Sequence, residues 1–293
     1  MDSSQTLQPQ GTAGGTSRAW VKNVLFRVLV LFLWKSAAAP IEPVYQTDIG
    51  QQAAITLQDH SEIHLGGDTS IMLSDASQFR TVRLQRGEIF ANVHHDNNRP
   101  FQVVVNHLIA FDLGTAYDIS THDSTTNVSV LQGEVRLYQR DDGGRWIDPI
   151  TVDAGIHRRV PALLGAGDLA RVEQLSDGTV IVTRSRPDLN VATQRTQWLQ
   201  GSLLADRQRL DEVIWQFNRY NHTQIVIDDP EVGALACGGA FSLNNVDGLI
   251  KGLRQLFHID VERVEGVDGQ PSSYHLKNAA VKKSGRGRRQ GAG

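Results

Sequence analysis

The sequence predicts a mainly β chain: a β-solenoid- or sandwich-like body, then a small α+β domain of order βαββαββ. Three observations predict it. From Gln51 to about Thr183, apolar residues recur with period two between turn signals. After Trp198 the period changes, and two apolar stripes fall at helical spacing. Aromatic residues make up only 6% of the chain while glycine occurs 27 times, a composition that suits short strands and many turns. The 293 residues, 40% of them hydrophobic, suffice for two modest domains with packed cores.

In the body, Ile55 and Leu57 alternate, and Ile63 and Leu65 resume after the turn Asp59-His60-Ser61. Val82 and Leu84 lead into Arg86-Gly87, and Ile89, Ala91 and Val93 follow; the spacing suggests a tight hairpin. Phe101, Val103 and Val105 come after Pro100, which suits the first residue of a strand. Val128 and Val130 precede a turn at Gln132-Gly133, then Val135 and Leu137. Asp141-Asp142-Gly143-Gly144 is a further turn before Trp146. Residues 44–183 thus read as an all-β domain, and the polar stretch 184–197 with Pro187 reads as a linker.

Residues 198–277 form the α+β domain. A strand at 201–205 precedes a helix that Asp206 would start, with Leu210, Val213, Ile214, Phe217 and Tyr220 on one face. Ile225, Val226 and Ile227 are a strand closed by Asp229-Pro230, and another strand lies near 239–243. A second helix carries Val246, Leu249, Ile250, Leu253, Leu256 and Phe257, with Asn244 or Asn245 as N-cap. Ile259, Val261 and Val264 run into a turn at 266–269, and Tyr274 and Leu276 end the set. Both helices are expected on one sheet.

The ends differ from the body. Residues 1–20 and 278–293 read as disordered tails, the second of them basic. Residues 21–39 read as a membrane anchor or signal segment around the apolar run 28–34, VLVLFLW. As an anchor, Arg18, Lys22 and Arg27 stay inside and the body lies outside. As a signal peptide, cleavage would fall at Ala37-Ala38-Ala39, before an awkward Pro40. A buried or peripheral segment is the third reading. The net charge of −3 combines a +3 segment at 1–39, six cations without an acid at 277–293, and a body near −12. Such a body repels phosphate backbones, which argues against nucleic-acid binding there.

No residue is assigned a catalytic, cofactor-binding or metal role, and no cofactor is expected. His94-His95-Asp96 superficially suggests metal ligands, but adjacent residues on a strand point to opposite faces. Asp141-Asp142 and Asp228-Asp229 sit at turn signals, and the single Cys237 reads as a small buried residue. A phosphate loop, a His-Glu-x-x-His pair and a Gly-x-Ser-x-Gly elbow are all missing from the sequence. The chain is therefore expected not to be an enzyme.

Several segments occur in order at fitting distances: residues 84–93 (LQRGEIFANV), Arg99-Pro100-Phe101-Gln102-Val103, Leu113-Gly114-Thr115 with Tyr117, and residues 128–135 (VSVLQGEV). They resemble the FecR family of sigma-factor regulators. Trp198, Gly201, Leu203, Asp206, Leu210, Asn218-Arg219-Tyr220-Asn221, Asp229-Pro230, Gly239 and Phe241 resemble that family's C-terminal module, which is related to the short N-terminal domain of secretins and TonB-dependent receptors. The resemblance spans roughly residues 44–276. It implies an inner-membrane protein of a Gram-negative envelope, crossing once, with its N-terminus cytoplasmic and its body periplasmic. The partners implied are the periplasmic signalling domain of a TonB-dependent outer-membrane (iron-uptake) receptor and an extracytoplasmic-function sigma factor. Family members carry a folded cytoplasmic domain ahead of the membrane segment. Here about 20 residues precede the apolar run, without a helical stripe. Either the true start lies upstream, or this copy is shortened, or it signals differently. The competing reading is an exported structural or cell-wall-binding envelope protein without sigma-factor control.

Overall fold

The structure is a computed structural model that describes residues 43–75, 78–141, 143–153, 156–186, 189–266 and 272–279. The anchor or signal segment 21–39, the tail 1–20 and residues 280–293 of the basic tail lie outside the described residues, as does Pro187. Among the described residues no helix is long and apolar enough to cross a membrane.

The body is one 16-stranded sheet curled into two facing layers. The first layer contains β1 (Val44–Thr47), β4 (Thr69–Asp75), the first half of β5 (Arg80–Asn92), β6 (Phe101–Val105), β7 (Leu108–Asp112), β10 (Glu134–Arg140), β11 (Trp146–Ile147) and β14 (Ala162–Gly165). The second contains β2 (Ala53–Thr56), β3 (Glu62–Leu65), the rest of β5, β8 (Ala116–His122), β9 (Thr125–Gln132), β12 (Ile150–Asp153), β13 (Ile156–Arg159), β15 (Leu169–Gln174) and β16 (Val180–Ser185). Ile71, Val82, Val103 and Leu137 from the first layer meet Ile63, Ile89, Ile119 and Val130 from the second in a single core. The body is mainly β as expected, and takes the form of one large sheet curled as a half-barrel around this core.

The expected hairpin at Arg86-Gly87 is instead a corner within one strand. Before it β5 pairs with β4 and β6; after it, with β3 and β8. Gly87 has φ +91°, and a Cβ there would come within 2.7 Å of the Asp68 carbonyl oxygen. The left-handed conformation lets the strand bend and pass to the other layer. The core-facing residues shift phase there, from Val82 and Leu84 to Ile89 and Ala91. A reversing turn produces the same shift, so the pattern alone does not separate the two. Gly133, at φ +82°, likewise sits where the chain crosses from β9 to β10 between layers.

The segment read as a linker holds a short helix, α1 (Leu189–Gln194), with Ala192 buried. A 3-10 turn follows at Gln197–Gln200. The C-terminal module then runs β17 (Ser202–Arg209), α2 (Leu210–Asn218), β18 (Gln224–Ile227), a single turn α3 (Pro230–Gly233), β19 (Ala236–Ser242), α4 (Val246–Phe257), β20 (Asp260–Val264) and β21 (Ser273–Lys277). The order is the expected one with α3 added. The strands form two small sheets, β17-β19 and β18-β21-β20, where one was expected. Asp206 starts no helix: β17 runs past it through a bulge between Ala205 and Gln208, where Arg207 has φ 51°. Helix α2 begins at Leu210 and buries Leu210, Val213, Ile214 and Phe217. Asn245 caps α4 by accepting from the Gly248 amide at 2.9 Å. Leu249, Ile250 and Leu253 face the module core, but Leu256 is 56% exposed and leaves the expected stripe.

Candidate functional site

The outward face of the second body layer is polar. In β8 and β9, Tyr117, Ile119, Val128 and Val130 point into the core, so Asp118, Ser120 and Ser129 point away from it. On β5, Glu88 and Phe90 alternate with Ile89 and Ala91 in the same way. These outward residues are nonetheless buried or half-buried, because the C-terminal module and, at Ser129, helix α1 lie against this face. Phe90 packs against the module's core, not the body's.

Arg219, just beyond α2, is the centre of this seam. Its Nη1 donates to Glu88 Oε2 at 2.9 Å, its Nε to the Gly67 carbonyl at 2.9 Å and its Nη2 to Thr69 Oγ1 at 3.3 Å. Side-chain exposure is 4% for Arg219 and 7% for Glu88, so the ion pair is shielded from water. The Arg219 carbonyl accepts from the Gly50 amide at 3.0 Å. The Trp198 indole donates to Asp118 Oδ2 at 3.0 Å, and the Trp198 carbonyl accepts from Gln52 at 2.8 Å. Towards the seam's edge, Arg171 pairs with Glu212, and the His122 ring stacks on Trp215 at 4.7 Å. The Arg219 guanidinium lies 5.0 Å from the centre of that Trp215 ring.

Between the two halves lies a cavity of about 190 Å³, lined among others by Glu88, Asp118, Asn127, Arg195, Glu212 and Tyr220. Burial raises the pKa of both Glu88 and Asp118. Asp118 rises well above the carboxylate range because the Glu88 charge adds to its burial. At Glu88 the Arg219 charge and hydrogen bond offset part of the burial cost. Burial lowers the Arg195 pKa, against the pull of Glu212, Asp118 and Glu88. The arrangement is a buried, charge-paired joint: it couples the position of the module to the body.

The residues weighed from sequence lie elsewhere. His94 and His95 are exposed in the loop after β5, not on a strand, and the His94 carbonyl accepts from Arg80 at 3.0 Å. Asp141 closes its turn by accepting from the Arg145 amide at 2.7 Å; Asp142 is outside the described residues. Asp229 caps α3 through the Glu231 amide at 3.0 Å, while Asp228 pairs with His275 at 2.9 Å. Cys237 is buried in the module core, which raises its thiol pKa. Among the described residues no group of three His, Cys, Asp or Glu side chains is placed to hold a metal ion. The seam residues Glu88, Asp118, Trp198 and Arg219 were not singled out as a site. The available signal was the charge of Glu88 beside the alternating Ile89, Ala91 and Val93.

Residues 43–136 match the family model described as FecR protein. Two crystal structures of a candidate anti-sigma factor from Parabacteroides distasonis share the fold, with TM-scores of 0.64 and 0.63 at 21% and 20% identity. The similarity covers 81% and 80% of this chain and 99% of each of those chains, so the shared fold reaches past the body into the C-terminal module. No curated protein matches the sequence.

Proposed function

We propose that the chain is a transmembrane regulator of an extracytoplasmic-function sigma factor, with its body in the periplasm of a Gram-negative envelope. It works by binding and has no catalytic step of its own. The observation that carries this reading is the FecR match over residues 43–136, and the fold shared with a candidate anti-sigma factor supports it. The input is the periplasmic signalling domain of a TonB-dependent outer-membrane receptor serving iron uptake. The segment 21–39 holds the chain in the inner membrane, with the N-terminus on the cytoplasmic side.

A reporter active only in the periplasm, fused after Leu276, tests the placement. Activity in the membrane fraction is expected; activity confined to the cytoplasm would overturn the receptor contact. Pull-downs with the receptor domain and with the sigma factor test the partners separately. A second reading, an exported cell-wall-binding protein, draws on Phe79, Phe111, Tyr138 and Trp146. These half-buried rings contact one another 5.4–6.4 Å apart and belong to neither core. Sedimentation of the chain with purified peptidoglycan, and loss of it in Trp146→Ser, would favour that reading.

A further inference from the structure

We propose that the C-terminal module is a clamp latched onto the β body by Arg219, and that Gly66-Gly67 is the slot shaped to receive it. The argument starts from the two glycines. Neither has a positive φ, so the backbone there would accept an L side chain. What forbids one is the module. A Cβ on Gly67 would overlap the Arg219 carbonyl oxygen and lie 3.0 Å from its carbon and 3.4 Å from Tyr220 Cδ1. A Cβ on Gly66 would lie 2.6 Å from Arg219 Nη2 and 2.8 Å from Tyr220 Oη. The nearest obstacle at each position thus belongs to the C-terminal module. The glycine pair serves docking, in contrast to Gly87, which serves the path of its own strand.

The rest of the seam suits a joint that opens. It holds ion pairs, side-chain hydrogen bonds and a cavity lined by both polar and apolar groups, and apart from Phe90, which packs into the module's core, each half keeps its own apolar core. A buried ion pair adds little net stability over apolar packing, but removing one partner is costly, so such a contact favours one geometry strongly. Inter-domain surfaces of this polar kind permit relative motion. Arg219 grips three separate body groups, at Gly67, Thr69 and Glu88, each through a different nitrogen of its planar guanidinium, a spread that the single nitrogen of an ammonium does not reproduce. Releasing it frees the module without unfolding either core. The signalling meaning of that release rests on the regulator reading above; the latch is a property of this chain alone.

Hydrogen exchange on the full chain tests it, without sigma factor or receptor. Gly67→Ala is the main variant, because its new methyl group meets the module first. Arg219→Ala and Arg219→Lys approach from the other side. Gly252→Ala is the control, since nothing lies within 4 Å of a Cβ there. Gly67→Ala and Arg219→Ala should speed exchange at Gly50 and around residues 197–201 on the order of 10-fold or more. Arg219→Lys should be intermediate, and amides at Val103, Val130 and Leu253 should stay protected in all variants. The radius of gyration by X-ray scattering should rise with the same ranking. Two results would overturn the latch: an unchanged seam in Gly67→Ala, or exchange at Leu253 accelerating with the seam, which would make the halves one cooperative unit. Failure to bind a sigma factor with the seam behaving as described would remove the regulator reading and leave the latch intact.

Discussion

Asp112 closes β7 and is 2% exposed, beside Tyr117 in the body and within the field of Arg80. Neither of its carboxyl oxygens makes a hydrogen bond of good geometry. Burial lifts its pKa to about 7, although the Tyr117 hydroxyl, the Gly114 amide and the Arg80 charge draw it down. The folded chain therefore keeps a proton that the unfolded chain releases near pH 3.8. The contribution of Asp112 to stability is full below that value and falls as pH rises towards 7. Asp112→Asn should remove this slope and stabilise the chain at pH 8 by about 1–3 kcal/mol. Urea denaturation across the pH range measures it, and an unaltered slope would assign the titration to another group. Asp168 has the opposite sign. Burial works against its ionisation, but Arg186, the Gly165 amide and Arg184 prevail and hold its pKa at about 2.

At the scale of the element, β5 organises the body, since among the described strands it alone pairs with strands of both layers across its length. Its bend depends on Gly87, and the Thr69 hydroxyl completes the corner by accepting from the Glu88 amide at 3.1 Å. Gly87→Ala should cost at least about 2 kcal/mol, through left-handed strain and the clash with the Asp68 carbonyl. Chemical denaturation would show it. A loss below about 0.5 kcal/mol would mean the corner tolerates a side chain. The same strand carries Glu88 one residue later, so the corner that joins the layers also aims a carboxylate at the module.

For the whole molecule, the ionisations combine. Asp112, Glu88 and Asp118 have raised pKa values, so their contributions fall as pH rises above the unfolded carboxylate range. Asp168 and Asp59 have lowered values, so theirs fall as pH drops below it. Stability should therefore peak on the acid side of neutrality, at about pH 4–6. A series of urea midpoints checks this, and a maximum at pH 8 would contradict the buried state of the three raised carboxyls.

The sequence by itself determined the period of each segment, and with it the mainly β body, the helical stripes and the order of elements in the module. Periodicity depends on local backbone geometry, so it is readable along the chain. It left open what a turn signal does. Arg86-Gly87 and Gln132-Gly133 read as turns, and only pairing between distant strands made them corners between two layers. The seam was less legible still. Glu88 and Arg219 are 131 residues apart, and each belongs to a segment whose local pattern is complete without the other. Gly66-Gly67 reads as an ordinary loop pair until Arg219 and Tyr220 are brought against it. A polar sheet face looks solvated in sequence. That it is covered, and by which side chains, was decided by tertiary packing alone, because burial is a property of neighbours and not of the residue.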